Sequence, residues 1–78
     1  MNQPRFLPLP DVAAELNITE AQAYAMVRSG ELPAIRVGGR GQWRVERAKL
    51  EEYIQRNYEE TAAYIARNPL VKRNEPDE

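Results

Sequence analysis

The 78-residue sequence contains no cysteine and no histidine. Their absence excludes disulfide staples, zinc ribbons, thiol catalysis and the usual general base at neutral pH. It also fits a reducing compartment, in which disulfides do not form. A chain of this length has room for one domain, and a core that small stabilises a fold only marginally.

Long apolar runs are missing as well. No stretch approaches the roughly 20 apolar residues that cross a bilayer. The opening MNQPRFLPLP lacks the apolar region and small-residue cleavage site of a signal peptide. We therefore expect a cytoplasmic protein without a membrane partner. The sequence also lacks metal-ligand clusters and a phosphate-cradling P-loop, so we expect no cofactor, no metal, no catalytic residue and no enzyme activity.

Charge is almost balanced over the whole chain but unevenly distributed along it. The net charge is −1, yet residues 28–49 carry six cations against two carboxylates. A local basic patch is what meets a phosphate backbone, whereas a patch without a partner is only a solvated surface. Charge alone leaves both interpretations open. The six cations are Arg28, Arg36, Arg40, Arg44, Arg47 and Lys49.

A first helix is predicted over residues 9–16. Pro10 suits the first helical position, and Asp11 suits the positive end of the helix dipole. Asn17 tolerates the left-handed conformation that ends a helix, although glycine would adopt it at lower cost. We therefore expect the chain to turn at residue 17.

A second helix is predicted over residues 20–29. Thr19 and Gln22 fit a capping box, and Gly30 fits the end of the helix. Two short helices joined by a turn of about three residues form the layout of a helix-turn-helix. An ordinary corner between two helices is the alternative. The predicted inter-helix core consists of Val12, Leu16, Ile18, Ala23 and Met26.

The segment RVGGRGQWRV, residues 36–45, concentrates three arginines, three glycines and the single tryptophan. Apolar and basic residues alternate on both sides of the glycines, which predicts two strands joined by a turn over residues 38–42. The expected register gathers the apolar side chains on one face. It places Ile35 opposite Val45, Val37 opposite Trp43, and Arg36 opposite Arg44.

We call this hairpin, residues 35–45, the wing. In the expected register Arg36 and Arg44 repel each other, a cost that an anion binding beside them offsets. Arg40 sits at a glycine tip that can enter a groove or lie along a backbone. Two helices followed by such a hairpin predict a winged helix-turn-helix, mainly α with a small β-hairpin.

Trp43 is the single tryptophan, and two roles suit it. One role is stacking on a nucleic-acid base. The other is packing under the wing, which we favour because Trp43 shares the strand parity of Val45. We therefore expect the indole to contact the core rather than a base.

A third helix is predicted from near Glu46 to at least Arg56. Residues 58–67 remain compatible with a helix, which either continues or restarts after a bend, and Asn68 followed by proline stops it. We favour packing of residues 58–67 back on the domain over a short dimer contact. The inward face is expected to carry Leu50, Tyr53, Ile54 and Asn57.

These elements define one expected domain, residues 6–67. A flexible N-terminus, residues 1–5, is expected before it. The polar, proline-containing end, residues 68–78, is expected to be disordered.

Residues spread from Phe6 to Ile54 follow the pattern of one known family. The most specific part is the run GELPAIRVG at residues 30–38, between the second helix and the wing. On these residues the chain resembles the excisionase-type, MerR-like winged helix-turn-helix family. The other matching residues are Phe6, Leu7, Asp11, Val12, Ala13, Leu16, Ile18, Thr19, Tyr24, Ser29, Trp43, Arg44, Val45 and Leu50.

The resemblance implies sequence-specific binding of double-stranded DNA by a small bacterial transcriptional regulator or an excisionase-like architectural factor. The second helix would enter the major groove, and the wing would follow the backbone or the minor groove. A nucleoid-associated location follows from this. The candidate DNA-binding residues are Thr19, Gln22, Tyr24, Arg28, Arg36, Arg40, Gln42 and Arg44.

The expected partners follow from the same resemblance. Duplex DNA is the first, and a homodimer or a cooperative head-to-tail array on DNA would strengthen a weak monomer. The chain is expected to be too short for an effector domain, so no small-molecule effector is expected.

The outer face of the second helix departs from the basic or hydroxyl-rich pattern common in the family. Glu20, Ala21 and Ala25 occupy it here. Gln22 can pair with adenine through two hydrogen bonds, and Glu20 can accept from a cytosine amino group, although a helix-dipole role is favoured for Glu20. Tyr24 either donates to a phosphate or packs inward.

This departure keeps a second class of function open. A winged helix with weak DNA affinity would serve as a protein-interaction module. The surface for such a partner would carry Tyr53, Tyr58, Tyr64 and Ile65.

Overall fold

Residues 3–70 are described by the computed structural model. The predicted flexible N-terminus and disordered tail fall partly outside this range, at residues 1–2 and 71–78. As predicted, the fold is a winged helix-turn-helix with three helices and a small antiparallel sheet. Within residues 3–70, no helix combines the length and the apolar character that crossing a membrane requires. The elements are β1 (Phe6–Pro8), α1 (Leu9–Leu16), α2 (Glu20–Ser29), β2 (Ile35–Val37), β3 (Gln42–Glu46) and α3 (Arg47–Arg67).

Both predicted helices are confirmed. The end of α1 and both ends of α2 are set by residues within a few positions of them. Asn17 adopts the left-handed conformation, with φ 57°. The capping box is closed, because the Gln22 backbone N–H donates to Thr19 Oγ1 at 3.1 Å and the Thr19 N–H donates to Gln22 Oε1 at 2.9 Å. Gly30 ends α2 with φ 85°. The turn and both caps thus set the path of the helix pair.

The core lies between the helix pair, the sheet and the first turns of α3. The predicted inter-helix contacts are confirmed, with Val12 and Ala23 fully buried. Leu32 is also fully buried but was not predicted in the core; its backbone N–H donates to Met26 O at 3.2 Å. The buried residues are Leu7, Val12, Ala13, Ala23, Val27, Leu32, Val45 and Leu50.

The sheet contains a strand that the sequence analysis missed. Its order is β1-β3-β2, and both strand pairs are antiparallel. In β1, Leu7 lies opposite Val45, and both side chains are buried. Because β1 has three residues, it is too short to show the alternation that predicts a strand. The apolar pair Phe6 and Leu7 was the one available signal.

The expected register of the wing is wrong by one residue. Strands β2 and β3 pair Ile35 with Arg44, Arg36 with Trp43, and Val37 with Gln42. The turn is therefore shorter than expected, residues 38–41. Directly opposed residues share a face and the side-chain period is two, so a shift of one moves Ile35 and Val37 to the face opposite Trp43. These two side chains are about half exposed, at 50% and 46%.

Helix α3 runs without interruption from Arg47 to Arg67. Its predicted inward face is confirmed for Leu50, which is buried, and for Tyr53 and Ile54, which pack against the core. Asn57 is only partly buried and donates to the Tyr53 carbonyl at 2.9 Å instead of joining the core. The expectation that residues 58–67 pack back on the domain is wrong, because every residue of that segment is exposed. The second half of α3 thus projects beyond the core.

Candidate nucleic-acid interface

The exposed face of α2 carries one ordered cation. Arg28 Nη1 donates to the Tyr24 hydroxyl at 2.9 Å, and the guanidinium lies 5.8 Å from the centre of the Tyr24 ring. Tyr24 is 43% exposed. Tyr24 therefore does not pack inward, and its hydroxyl is left on the surface, where a phosphate could reach it. Both side chains stand on the surface that a helix-turn-helix presents outward.

The first turn of α2 has its polar groups engaged within the protein. Gln22 Oε1 accepts from the Thr19 backbone N–H at 2.9 Å and lies 3.2 Å from Thr19 Oγ1. A bidentate pair with adenine needs this oxygen as an acceptor. While the capping box is closed, Gln22 can offer only its Nε2 donor to a base. Thr19 and Gln22 are thus first of all capping residues.

The shifted register places Arg36 on the face of Trp43. Its guanidinium lies 5.8 Å from the centre of the indole, and Arg36 Nε donates to the Gly41 carbonyl at 3.1 Å. Trp43 is partly buried and packs against the core, as favoured from its parity with Val45. Arg36 is therefore an exposed cation with a fixed aromatic support.

Arg44 occupies the other face of the wing. Its Nη1 donates to the Trp43 carbonyl at 2.8 Å, and its Nη2 donates to Gln42 Oε1 at 3.0 Å. The expected repulsion between Arg36 and Arg44 across the ladder is thus wrong, because the two side chains leave opposite faces of the hairpin. The wing presents one cation on each face.

The tip of the wing is a four-residue turn. The Gly41 N–H donates to the Gly38 carbonyl at 3.0 Å, and both glycines have positive φ, 64° and 85°. Arg40 lies exposed in this turn, and within residues 3–70 no hydrogen bond or ion pair holds its side chain. Of the three wing arginines, Arg40 is therefore the one whose side chain the described residues do not hold.

The structure adds features that the sequence analysis missed. A groove of about 140 Å³ runs along the Arg44 face of the sheet. Arg5 and Glu46 pair at 2.9 Å, and the Arg47 N–H donates to the Arg5 carbonyl at 2.7 Å, so the segment before β1 is fastened to the start of α3. No sequence signal marks these contacts, because they join residues about forty positions apart.

Within the described residues, no three acidic, histidine or cysteine side chains come together as a metal site would require. The basic groups instead lie along two elements. Arg28 is on α2, and the three wing arginines follow on and between β2 and β3. Guanidinium groups on such a surface suit phosphate oxygens and base edges.

Comparison with known proteins agrees with this architecture. A family model described as a helix-turn-helix domain matches residues 6–58, a span that includes the helix pair, the wing and the first half of α3. No curated protein and no solved structure matches the chain. Helix-turn-helix domains of this kind bind DNA. The chain therefore belongs to the excisionase-type helix-turn-helix domain family.

Proposed function

We propose that this protein reads a specific sequence of double-stranded DNA, with α2 in the major groove and the wing on the backbone or the minor groove. The observation that carries the proposal is the exposed face of α2, which has the Arg28–Tyr24 pair near its end and is followed by the basic wing. A helix of this size fits the major groove, and exposed guanidinium groups supply phosphate contacts beside it.

The two sets of contacts have different roles. Ala21, Ala25 and the Nε2 donor of Gln22 are exposed on α2, where they can meet base edges. Arg36, Arg40 and Arg44 on the wing meet phosphate, which provides affinity without sequence information. This division suits a transcriptional regulator or an architectural factor in DNA excision, because both bind a defined site.

Selection from random duplex DNA tests sequence specificity. We expect one enriched motif, and its symmetry reports whether the protein binds as a monomer, a dimer or a tandem array. Binding of that motif is then measured across a salt series. Recovery of unenriched DNA with weak, sequence-blind binding would contradict the proposal.

Charge substitutions test the wing. Replacing Arg36, Arg40 and Arg44 with alanine is expected to weaken binding and to lower the salt slope by about 0.9 for each phosphate that is no longer neutralised. Arg67→Ala is the control, because it also removes a cation but lies at the far end of α3. An unchanged salt slope in the triple variant would show that the wing does not contact DNA.

A second candidate function is protein binding through the projecting half of α3. Tyr58, Tyr64 and Ile65 are 71%, 59% and 60% exposed. A largely apolar groove of about 270 Å³ opens beside Tyr58. Sedimentation of the protein with and without its DNA site tests for a second copy at this surface. We expect Tyr64→Ser to weaken self-association, and Glu59→Ser, on the same helix, to leave it unchanged.

A further inference from the structure

We propose that Gly41 and Trp43 are positioning residues, which hold the Arg36 guanidinium in one orientation so that it meets a DNA phosphate already ordered. This inference rests on the proposed DNA binding and adds an arrangement of three residues to it. Arg36 supplies the cation, Trp43 the aromatic ring beneath it, and Gly41 the space that a side chain would otherwise fill.

The platform is fixed because Trp43 is packed against the core. Arg36 and Trp43 are direct partners across the β2–β3 ladder, so their side chains share a face. The guanidinium lies 5.8 Å from the centre of the indole, within the range of a cation–π contact. The indole is thus held by its contact with the core while the guanidinium lies over the ring.

Gly41 closes the other side of the arrangement. Arg36 Nε donates to its carbonyl at 3.1 Å. A Cβ at position 41 would lie 2.6 Å from Arg36 Cζ and 2.7 Å from Nε, closer than real Cβ contacts allow. Any side chain at position 41 would therefore push the guanidinium away from both its acceptor and its platform.

Among the described residues, Arg36 combines a held side chain with two unengaged terminal nitrogens, a combination that the other two wing arginines lack. Arg44 is ordered, but both of its terminal nitrogens donate within the protein. Arg40 has no such bond within residues 3–70 and must lose its side-chain freedom on binding. Arg36 uses only Nε, so Nη1 and Nη2 remain available for two parallel bonds to a phosphate.

Gly38 offers a matched control for a substitution at Gly41. Both glycines have positive φ and belong to the same turn, so alanine strains the backbone at either position. Only at Gly41 does the added Cβ meet Arg36, because nothing lies within 4 Å of a Cβ at Gly38. The difference between Gly41→Ala and Gly38→Ala therefore isolates the displacement of the guanidinium.

The first experiment measures binding to mixed-sequence duplex DNA at low salt, because a phosphate contact does not depend on the base sequence. We expect Gly41→Ala to bind about 2- to 5-fold more weakly than Gly38→Ala, the size of one cation–π support. In an Arg36→Ala background, the two glycine variants are expected to bind equally. Equal binding of the two glycine variants when Arg36 is present, together with weaker binding of Arg36→Ala, would overturn the positioning role and leave DNA binding intact.

A spectroscopic measurement on the free protein separates positioning from simple instability. Trp43 is the only tryptophan, so its fluorescence reports what lies over the indole. We expect Gly41→Ala and Arg36→Ala to change the emission alike, and Gly38→Ala to retain the emission of the parent protein. Parent-like emission from Gly41→Ala would overturn the inference. If alanine at Arg36, Arg40 and Arg44 left DNA binding unchanged, the wing's part in the proposed function and this inference would fail together, while DNA reading by α2 would stand.

Discussion

The Tyr53 hydroxyl donates a hydrogen bond to Glu31 Oε2 at 3.1 Å, joining α3 to the turn that follows α2. Arg56 reinforces the same junction: its guanidinium lies 5.6 Å from the centre of the Tyr53 ring, and Nη2 donates to the Glu31 carbonyl at 3.3 Å. The end of α2, the helix proposed to enter the major groove, is thus held against α3. Its orientation depends on this junction as well as on the core.

Removing the Tyr53 hydroxyl is expected to weaken this junction. Tyr53→Phe keeps the ring but removes the hydrogen bond, and we expect the free energy of unfolding to fall by about 0.5–1 kcal/mol. Urea denaturation at neutral pH measures the change. Tyr58→Phe is the control, because the Tyr58 side chain is largely exposed. An equal loss of stability in both variants would show that the bond to Glu31 contributes nothing specific.

The same junction predicts a dependence of stability on alkaline pH. Burial raises the pKa of Tyr53 above its ordinary value of 10.0, and the hydrogen bond to Glu31 and the negative charge of that carboxylate raise it further. The folded state therefore holds the phenol proton more tightly than the unfolded state. The resulting stabilisation is full below pH 10.0 and is lost as pH rises through the folded pKa.

The free energy of unfolding, measured from neutral to alkaline pH, tests whether stability falls in this way. We expect the parent protein to lose stability more steeply above the ordinary tyrosine pKa than Tyr53→Phe, whose phenyl ring cannot titrate. Parallel curves for the two proteins would contradict the raised pKa.

Breaking the capping box at the start of α2 is expected to destabilise the folded protein. Thr19→Ala removes the oxygen that accepts from the Gln22 backbone N–H, and we expect it to lower the free energy of unfolding by about 1 kcal/mol. Thr19→Ser retains the acceptor and should restore most of the stability. Thr61→Ala, at an exposed site within α3, is the control and should change stability little. Thermal denaturation followed by circular dichroism compares the three variants.

Replacing Asn17 with glycine is expected to stabilise the protein. It holds φ 57°, a conformation that glycine adopts without a Cβ penalty. We expect Asn17→Gly to raise the free energy of unfolding by about 0.5–1 kcal/mol and Asn17→Ala to lower it. Asn68→Gly should bring no gain, because Asn68 has φ −129°. A loss of stability in Asn17→Gly would show that the asparagine side chain supports the turn in another way.

Replacing Leu32 is expected to destabilise the protein more than the other substitutions proposed above. Leu32 is fully buried two residues after Gly30, which ends α2, and Leu32→Ala would leave a cavity that costs about 2–5 kcal/mol of folding free energy. A single core in a domain of this size rarely supplies more than about 3–5 kcal/mol, so the variant should be close to unfolding at ambient temperature. Calorimetry measures the melting temperature. Leu70→Ala, at an exposed position, should melt with the parent protein.

The helix pair could be predicted from the sequence because its signals are local. Pro10 and Asn17 bound the first helix, while Thr19, Gln22 and Gly30 bound the second, and each acts within a few residues of itself. The inward face of α3 was also predictable, since its apolar spacing matches one side of a helix. These predictions needed no knowledge of the chain elsewhere.

The candidate site was predictable in its residue types but not in its geometry. The arginines and glycines of the wing were evident, yet the alternation of Ile35, Arg36 and Val37 pointed their side chains to the wrong faces. Val45 meets Leu7 of β1 instead of Ile35, so its core partner comes from a strand that the sequence barely marks. The support of Arg36 by Trp43 followed from that one-residue shift.

By itself, the sequence determined where α1 and α2 begin and end, how α2 is capped and which segment carries the positive charge, because caps, turns and composition act over short separations. Only the tertiary structure decided the strand register, the separation of Arg36 from Arg44 and the projection of α3 beyond the core. These depend on pairing across the sheet and on how much apolar surface the small core can cover. Both are set by contacts between distant residues.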